Sequence, residues 1–246
     1  MHAIHAQKRR SAVRTVMLAA LGLAIAAGAA GGPWSRTSAA PAAGAVTRLG
    51  GFRQASTCLW AAGGKPVMFF MGAQFCQFCA AERWAFVRAT ERFGRWSGLE
   101  PTSSSSGGTG GVPTFDTLHA TYHSALITVQ TREIADFHGR PLQALSARQG
   151  AYVNAYDPSG GFPLIVIAGR YVQLGNGPNY GPRLFIGRSF AAAYHLVYDQ
   201  PASVQARAVA HEANIMSALI CASMGVRART TSACHAAGVR AFRVGQ

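Results

Sequence analysis

The stretch GKPVMFFMGAQFCQFCAAERWAF, residues 64–86, decides the fold. Residues 67–71 form a continuous apolar run of strand length, which is typical of a strand buried in the centre of a parallel sheet. A short turn, residues 72–75, leads to the motif Cys76-Gln77-Phe78-Cys79. From residue 80 to residue 95, Ala81, Trp84, Ala85, Arg88 and Arg92 recur at spacings of three and four, with Glu82, Arg83 and Glu91 off that line. This spacing predicts an amphipathic helix of about four turns.

The cysteine pair is therefore predicted to lie where a buried strand is followed by the amino terminus of a helix. Unpaired backbone N–H groups and the helix dipole stabilise a thiolate at that position. We expect the first cysteine, Cys76, to be a nucleophile near neutral pH and Cys79 to attack the resulting mixed disulfide. A strand, a C-x-x-C motif and a helix in this order indicate redox chemistry more strongly than the motif alone.

Three other interpretations of the cysteine pair fit the residues less well. A structural disulfide between Cys76 and Cys79 closes a very small loop and contributes little stabilisation through chain entropy. A zinc site would need a second C-x-x-C motif or a Cys/His pair, which the sequence lacks, so four thiolates would require Cys221 and Cys234 to join the motif. Covalent haem attachment needs a histidine after the second cysteine, where this sequence has Ala80. No metal and no cofactor are expected.

A second feature lies downstream of the cysteine pair. Residues 162–175 indicate a strand, a glycine-containing turn and a second strand, with Pro163 at the start of the first strand, where a missing N–H is tolerated. Between the two features, residues 125–133 predict a strand and residues 142–156 a helix. The predicted order is strand, C-x-x-C helix, strand, helix, proline, hairpin and helix.

In this order of elements the chain from about Lys65 to its end resembles thioredoxin-fold proteins. It is most similar to a thioredoxin-like family designated domain of unknown function 929. The residues that carry the resemblance are the stretch at 64–86, FPLIVIAGRYV at 162–172, and EANIMSALIC at 212–221 followed by Cys234.

The resemblance implies an α/β, thioredoxin-like fold, with a central mixed sheet flanked by helices, an inserted loop and a C-terminal helical extension. It also implies a membrane-proximal location outside the cytoplasm, the redox pair Cys76 and Cys79, and Pro163 facing that pair. It implies no particular reaction. Phe75 stands where thioredoxins usually carry tryptophan, and the strand at 67–71 has no buried acid to take the proton of Cys79, so proton transfer and the favoured direction stay open.

The amino terminus has the pattern of an export signal or a membrane anchor. Lys8, Arg9, Arg10 and Arg14 precede an uncharged stretch, residues 15–32. We therefore predict a signal peptide or anchor at 1–32 and a flexible linker rich in Ala, Pro and Gly at 33–55. The thioredoxin-like domain is expected at 56–246, with an insert at about 97–124 and the helical extension at about 189–246. An exported domain is in a compartment where disulfides persist.

Three cysteines lie outside the motif. Cys221 and Cys234 are thirteen residues apart, and a structural disulfide between them is favoured over a shuttle pair that exchanges electrons with the motif, because neither precedes an evident helix. Cys58 is interpreted as a small buried residue. His119 and His123 have metal-like spacing, but no carboxylate or cysteine accompanies them, so solvent-facing side chains are expected.

The composition excludes a disordered chain, since 49% of the 246 residues are apolar and only 13% are charged. The net charge of +14 reflects 23 Lys and Arg against only 9 Asp and Glu, and the basic residues beyond the amino terminus are scattered. A nucleic-acid or anionic-surface binder is therefore the weakest hypothesis, and no nucleic acid is expected as a partner.

The function predicted from these features is that of an extracytoplasmic thiol-disulfide oxidoreductase that acts on protein thiols or disulfides. Cys76, Cys79 and Pro163 are the expected catalytic residues, and Phe75 and Phe162 the expected substrate contacts. The expected partners are those substrates, a redox partner that is membrane-bound or free, and the membrane itself if residues 1–32 stay attached. The alternative is a binding or scaffold module that keeps the fold and a structural disulfide without the chemistry.

Overall fold

The computed structural model describes residues 48–56, 58–104 and 111–242, in which strands and helices alternate. The strands are β1 (Arg48–Leu49), β2 (Phe52–Gln54), β3 (Ala61–Ala62), β4 (Lys65–Gly72), β5 (Arg95–Ser97), β6 (Glu100–Ser103), β7 (Pro113–Asp116), β8 (Thr121–His123), β9 (Thr128–Glu133), β10 (Leu164–Ile167) and β11 (Tyr171–Leu174). The helices are α1 (Gln77–Thr90), α2 (Ala147–Tyr156), α3 (Phe190–Tyr194), α4 (Val204–Ser223), α5 (Ser232–His235) and α6 (Ala237–Arg240). A π-helical turn, His195–Asp199, continues α3.

The main sheet is mixed and is built around β4. Strands run in the order β1-β2-β11-β10-β4, and β3 and β9 each also pair with β4. Strand β9 is parallel to β4, whereas β10 is antiparallel to it. Helices flank the sheet, so the domain is a mixed α/β domain in which β4 is central.

Both faces of β4 are covered, which explains its uninterrupted apolar sequence. Met68 and Phe70 belong to the larger core, which also contains α1 and α4. The alternate side chains, Val67, Phe69 and Met71, belong to a second core that is covered by residues of α2. Successive side chains point to opposite faces of a strand, so a strand between two helical layers needs apolar residues at every position.

Helix α1 differs from the amphipathic helix that its sequence predicts. Glu82 and Arg83, expected off the apolar face, are as buried as the apolar residues around them. The reason is that β7 covers one side of α1 and α4 covers another. Thr114 of β7 donates a hydrogen bond to the carbonyl oxygen of Ala80 at 2.7 Å, and the Trp84 indole N–H donates to the carbonyl oxygen of Pro113 at 2.8 Å.

The strand β7 that covers α1 comes from the predicted insert. That segment forms two small antiparallel sheets, β5 with β8 and β6 with β7. The insert expected at about 97–124 as a loop is thus partly strand, and its residues 105–110 lie outside the described part of the chain. The insert is a layer of the core around α1.

The predicted linker at 33–55 overlaps the folded domain. Strand β2 pairs with β11, and Phe52 is buried in the larger core, so the domain begins before the predicted residue 56. The linker interpretation is therefore wrong for residues 48–54, because a short strand can gain its stability from the sheet edge without apolar periodicity of its own. The predicted signal or anchor at 1–32, and residues 33–47 of the predicted linker, lie outside the described residues.

In the described segments no helix is long and apolar enough to cross a membrane. The segment predicted as a helical extension, about 189–246, contains α3 with its π-helical continuation and α4. Short helices α5 and α6 then pack on α4. The Cys221–Cys234 disulfide is formed and joins α4 to α5, which confirms the favoured pairing.

Candidate functional site: a cysteine pair at a helix amino terminus

The two cysteines of the motif lie at the start of α1. Cys76 is the N-cap residue, with extended backbone, and its Sγ accepts a hydrogen bond from the backbone N–H of Cys79 at 3.1 Å. A sulfur takes here the role that a Ser or Asp oxygen usually has at an N-cap, so the helix start depends on the first cysteine of the motif. Both thiols are free, and both are largely buried, Cys76 at 8% exposure and Cys79 at 0%.

The environment separates the acidities of the two thiols. The hydrogen bond with the Cys79 thiol lowers the pKa of Cys76 below the ordinary value for cysteine, with further lowering from the Cys79 backbone N–H and from the charge of Arg83. Burial raises the pKa of Cys79 well above that value, and its bond to Cys76 raises it further. Cys76 is therefore the group that ionises first, and Cys79 holds its proton.

A buried ion pair lies behind the cysteines. Arg83 is one turn beyond Cys79 on α1, and its guanidinium contacts the Glu133 carboxylate with nitrogen-to-oxygen distances of 2.5 and 3.1 Å. Thr117 also donates to Glu133, at 2.7 Å. The positive charge of Arg83 favours the thiolate form of both cysteines, because it lowers the pKa of each. At Cys76 this adds to the lowering by the hydrogen bonds, and at Cys79 it opposes the rise of the pKa that burial causes.

Arg83 also supports the turn before Cys76. The carbonyl oxygen of Ala73 accepts a hydrogen bond from the Arg83 guanidinium at 3.3 Å and another from the Cys76 backbone N–H at 3.2 Å. On the strand side of this turn, a Cβ added to Gly72 would lie 3.2 Å from Cys79 Sγ and closer still to the ring of Phe70. The thiol of Cys79 thus packs directly on the end of β4, where only glycine leaves room.

Pro163 lies at the start of β10, opposite the end of β4 that leads into the cysteine motif. The Phe162–Pro163 peptide bond is cis, and Pro163 directly precedes β10, which pairs with β4. The ring of Phe162 packs edge-on against the ring of Phe75, with centroids 6.1 Å apart. The residue before the first cysteine therefore contacts the residue before the proline, and the structure brings these predicted site residues together.

The rim of the site is apolar and accessible. Phe75 is 40% exposed and Phe78, inside the motif, is 55% exposed. Phe162 is half-buried and precedes the first paired residues of β10, so its backbone lies outside the ladder. The surface beside the Cys76 sulfur is therefore aromatic and exposed.

Sequence reasoning missed Arg83 and Glu133. The helical pattern assigned Arg83 to the polar side, and Glu133 was only the last residue of a predicted strand. The position of Glu133 in its strand could have indicated this role. Glu133 is the last residue of β9, which is parallel to β4, and it therefore lies level with Gly72, just before the turn that leads to α1. Strand β4 itself carries no buried acid, and the buried acid beside the cysteine motif is Glu133 of the neighbouring strand β9.

The remaining predicted residues lie away from the motif. Cys221 and Cys234 are joined to each other. Cys58 is exposed, so its interpretation as a buried residue is wrong; it lies in an irregular segment between β2 and β3, where no layer covers it. His119 and His123 are exposed, and among the described residues no group of three or more His, Cys, Asp or Glu side chains is arranged to hold a metal ion.

The fold and the site define a mixed α/β domain in which the free thiol of Cys76, three residues before a second free thiol, caps the first long helix. Residues 52–222 match the family described as Domain of unknown function (DUF929), and the chain belongs to that family. No curated protein and no solved structure matches the chain.

Proposed function

We propose that this protein is an extracytoplasmic thiol-disulfide oxidoreductase with a thioredoxin-like fold. The observation that carries the proposal is the N-cap position of Cys76, with its lowered pKa beside the raised pKa of Cys79. A low-pKa thiol backed by a second thiol that keeps its proton is the arrangement that disulfide exchange requires.

The thioredoxin-like assignment is supported by the order of elements. Strand β4, the cysteine helix α1, strand β9, helix α2, Pro163, the β10–β11 hairpin and helix α4 follow one another in the order that the resemblance implies. The mixed pairing around β4 is consistent with it, since β9 is parallel and β10 antiparallel.

In the reducing direction, the Cys76 thiolate attacks one sulfur of a substrate disulfide and releases the other as a thiolate. Cys79 then attacks Cys76 Sγ, forms the Cys76–Cys79 disulfide and releases the second substrate sulfur. Two electrons pass from the protein to the substrate, and the two protons of the protein dithiol end on the two substrate thiols. The oxidising direction is the reverse of these steps.

Substrate contact is assigned to the rim of the site. Phe75 and Phe162 supply an apolar surface beside Cys76, and the backbone of Phe162 aligns an extended peptide by strand addition. Pro163 holds this backbone next to the motif. The site residues of the proposal are therefore Cys76, Cys79 and Pro163 for the reaction and Phe75 and Phe162 for binding.

A location outside the cytoplasm is supported by the Cys221–Cys234 disulfide, since such bonds persist in oxidising compartments. The basic and then apolar order of residues 1–32 supports export or anchoring. The partners proposed are protein thiols or disulfides outside the cytoplasm and a redox partner that restores the starting state of the pair.

The test is disulfide exchange by the full chain with a disulfide-bonded protein substrate. Cys76→Ser is expected to abolish turnover, and Cys79→Ser to trap the mixed disulfide. The matched control is Cys58→Ser, which removes a free exposed thiol remote from the motif in sequence and is expected to leave turnover unchanged. Unchanged turnover in Cys76→Ser refutes the assignment.

A redox titration separates the oxidoreductase from a scaffold module. A reduction potential of the Cys76–Cys79 pair above about −300 mV is expected for exchange, whereas a potential well below it is that of a structural disulfide.

A further inference from the structure

Four polar side chains form a buried cluster on the other side of α1. Glu82 of α1 accepts hydrogen bonds from the amide nitrogens of Gln173 at 3.1 Å and Asn176 at 2.5 Å. Glu212 of α4 lies beside the same loop, since a Cβ added to Gly177, the residue after Asn176, would overlap the Glu212 carboxylate. Glu82, Gln173 and Glu212 are each at most 1% exposed. The cluster joins positions from 82 to 212 of the chain.

Four oxygen atoms of these side chains lack a hydrogen-bond donor among the described residues. Both carboxylate oxygens of Glu212, the Gln173 amide oxygen and the Asn176 amide oxygen are buried and receive no hydrogen bond from the described residues. Neither Glu82 nor Glu212 takes part in an ion pair within those residues. Two carboxylates that are buried without a cationic partner are costly to keep charged.

One added proton neither neutralises both carboxylates nor provides a donor for every unpartnered oxygen. A proton on Glu212 removes one negative charge and supplies one donor, which leaves a second charge and further acceptor oxygens unmatched. A water molecule supplies two donors and no charge. A divalent cation matches the charge of two carboxylates, and carboxylate and amide oxygens of the kind left without donors here are its usual ligands.

The backbone around the cluster leaves room for these oxygens. A Cβ added to Gly177 would overlap Glu212 Oε2, and a Cβ added to Gly51 would overlap Gln173 Oε1. Gly177 lies in the turn after β11, and Gly51 lies between β1 and β2. Two loops thus approach the acceptor oxygens closely at positions without a side chain.

We propose that Glu82, Glu212, Gln173 and Asn176 form a binding site for a hard divalent cation of the calcium type. The donor set is entirely oxygen, two carboxylates and two amides, which suits Ca²⁺ and gives no preference to zinc or copper. Ca²⁺ takes a large, flexible set of protein oxygens, whereas Mg²⁺ keeps several waters and so fits a buried side-chain site less well.

The cation would connect three parts of the domain. Asn176 also donates to the backbone carbonyl oxygen of Phe78 at 3.0 Å, so the loop after β11 is attached to the first turn of α1 beside the cysteine motif. A bound cation adds Glu212 of α4 to this contact. Its role is to hold the loop and both helices together, and it takes no part in the exchange of electrons.

The experiment is a calorimetric titration of the chelator-treated full chain with Ca²⁺ alone and, in parallel, with Mg²⁺ alone. We expect one Ca²⁺ per chain and a higher Tm in its presence, because a ligand that binds the folded state stabilises it. Glu212→Gln, which keeps the size of the side chain and removes its charge, is expected to weaken Ca²⁺ binding by at least about tenfold, since even indirect partners of metal ligands contribute about 10–100-fold.

The matched control is Glu100→Gln, which removes an exposed carboxylate on β6 and is expected to bind Ca²⁺ like the unaltered chain. If Glu212→Gln does not fold, Asn176→Ala on the loop provides the same comparison. Absence of Ca²⁺ binding by the unaltered chain, equal affinity in the site variants, or tighter binding of Mg²⁺ than of Ca²⁺ overturns the proposal.

Discussion

The Arg83–Glu133 pair makes a prediction that connects stability to thiol reactivity. Both side chains are at most 2% exposed, and their closest approach is 2.5 Å. Arg83→Met removes the guanidinium and leaves the Glu133 carboxylate buried, with Thr117 as its remaining side-chain donor. Breaking a buried pair from one side costs about 3–5 kcal/mol, because the remaining charge is uncompensated.

Urea unfolding of the reduced chain measures this cost. With a slope of about 2–3 kcal/mol per molar urea, a loss of 3–5 kcal/mol lowers the midpoint by about 1–2 M. The double variant Arg83→Met/Glu133→Gln removes both charges and is expected to recover most of the loss, since replacing both members of a buried pair is often close to neutral. Equal midpoints for the single and double variants would refute the reasoning.

The same double variant isolates the effect of Arg83 on the cysteines. Without the guanidinium charge the pKa of Cys76 is expected to rise, since that charge contributes to its lowering. The pH midpoint for alkylation of Cys76 by iodoacetamide, followed by mass spectrometry, should therefore move upward in the double variant. An unchanged midpoint would show that the N-cap and Cys79 alone set the acidity of Cys76.

Three further predictions concern the acidity of Cys76, the Cys221–Cys234 disulfide and the contact of β7 with α1. In the unaltered chain, alkylation of Cys76 is expected to have its pH midpoint below that of an ordinary cysteine, because the thiolate reacts and its pKa is lowered; a midpoint at the ordinary value would contradict this. Replacing Cys221 and Cys234 by serine is expected to cost about 3 kcal/mol in urea unfolding without reductant, where the unaltered chain keeps this disulfide, and to leave disulfide exchange intact; loss of exchange would instead indicate a shuttle pair. Thr114→Val is expected to cost about 1 kcal/mol in the same measurement through the lost bond to α1, whereas Thr121→Val, on an exposed strand, should be neutral.

Much of the fold around the motif was predictable because its signals are local. The apolar run that forms β4, the helix after Cys76 and the hairpin after Pro163 each depend on a few neighbouring residues. Backbone preferences and side-chain periodicity act over the same short range. Strand β9 and helix α2 were likewise predicted within a few residues of their ends.

The polar residues around α1 could not be predicted in this way. Periodicity assigned Glu82 and Arg83 to the polar side of a helix, and that side is normally solvated. In the structure β7 and α4 cover it, so both charges are buried and each takes a different set of partners. Which layer covers a helix depends on contacts between distant segments, about which local spacing carries no information.

The sequence by itself determined where the chemistry begins, with a thiol at the junction of a buried strand and a helix, because strand, turn and helix are encoded next to one another. Only the tertiary structure decided the charges around that thiol. Glu133 reaches Arg83 because β9 pairs in parallel with β4, and on the other side of α1 Glu82 is buried because α4 packs on this helix. Electrostatic effects act through space and strengthen with burial, so residues up to 130 positions apart along the printed sequence surround one helix.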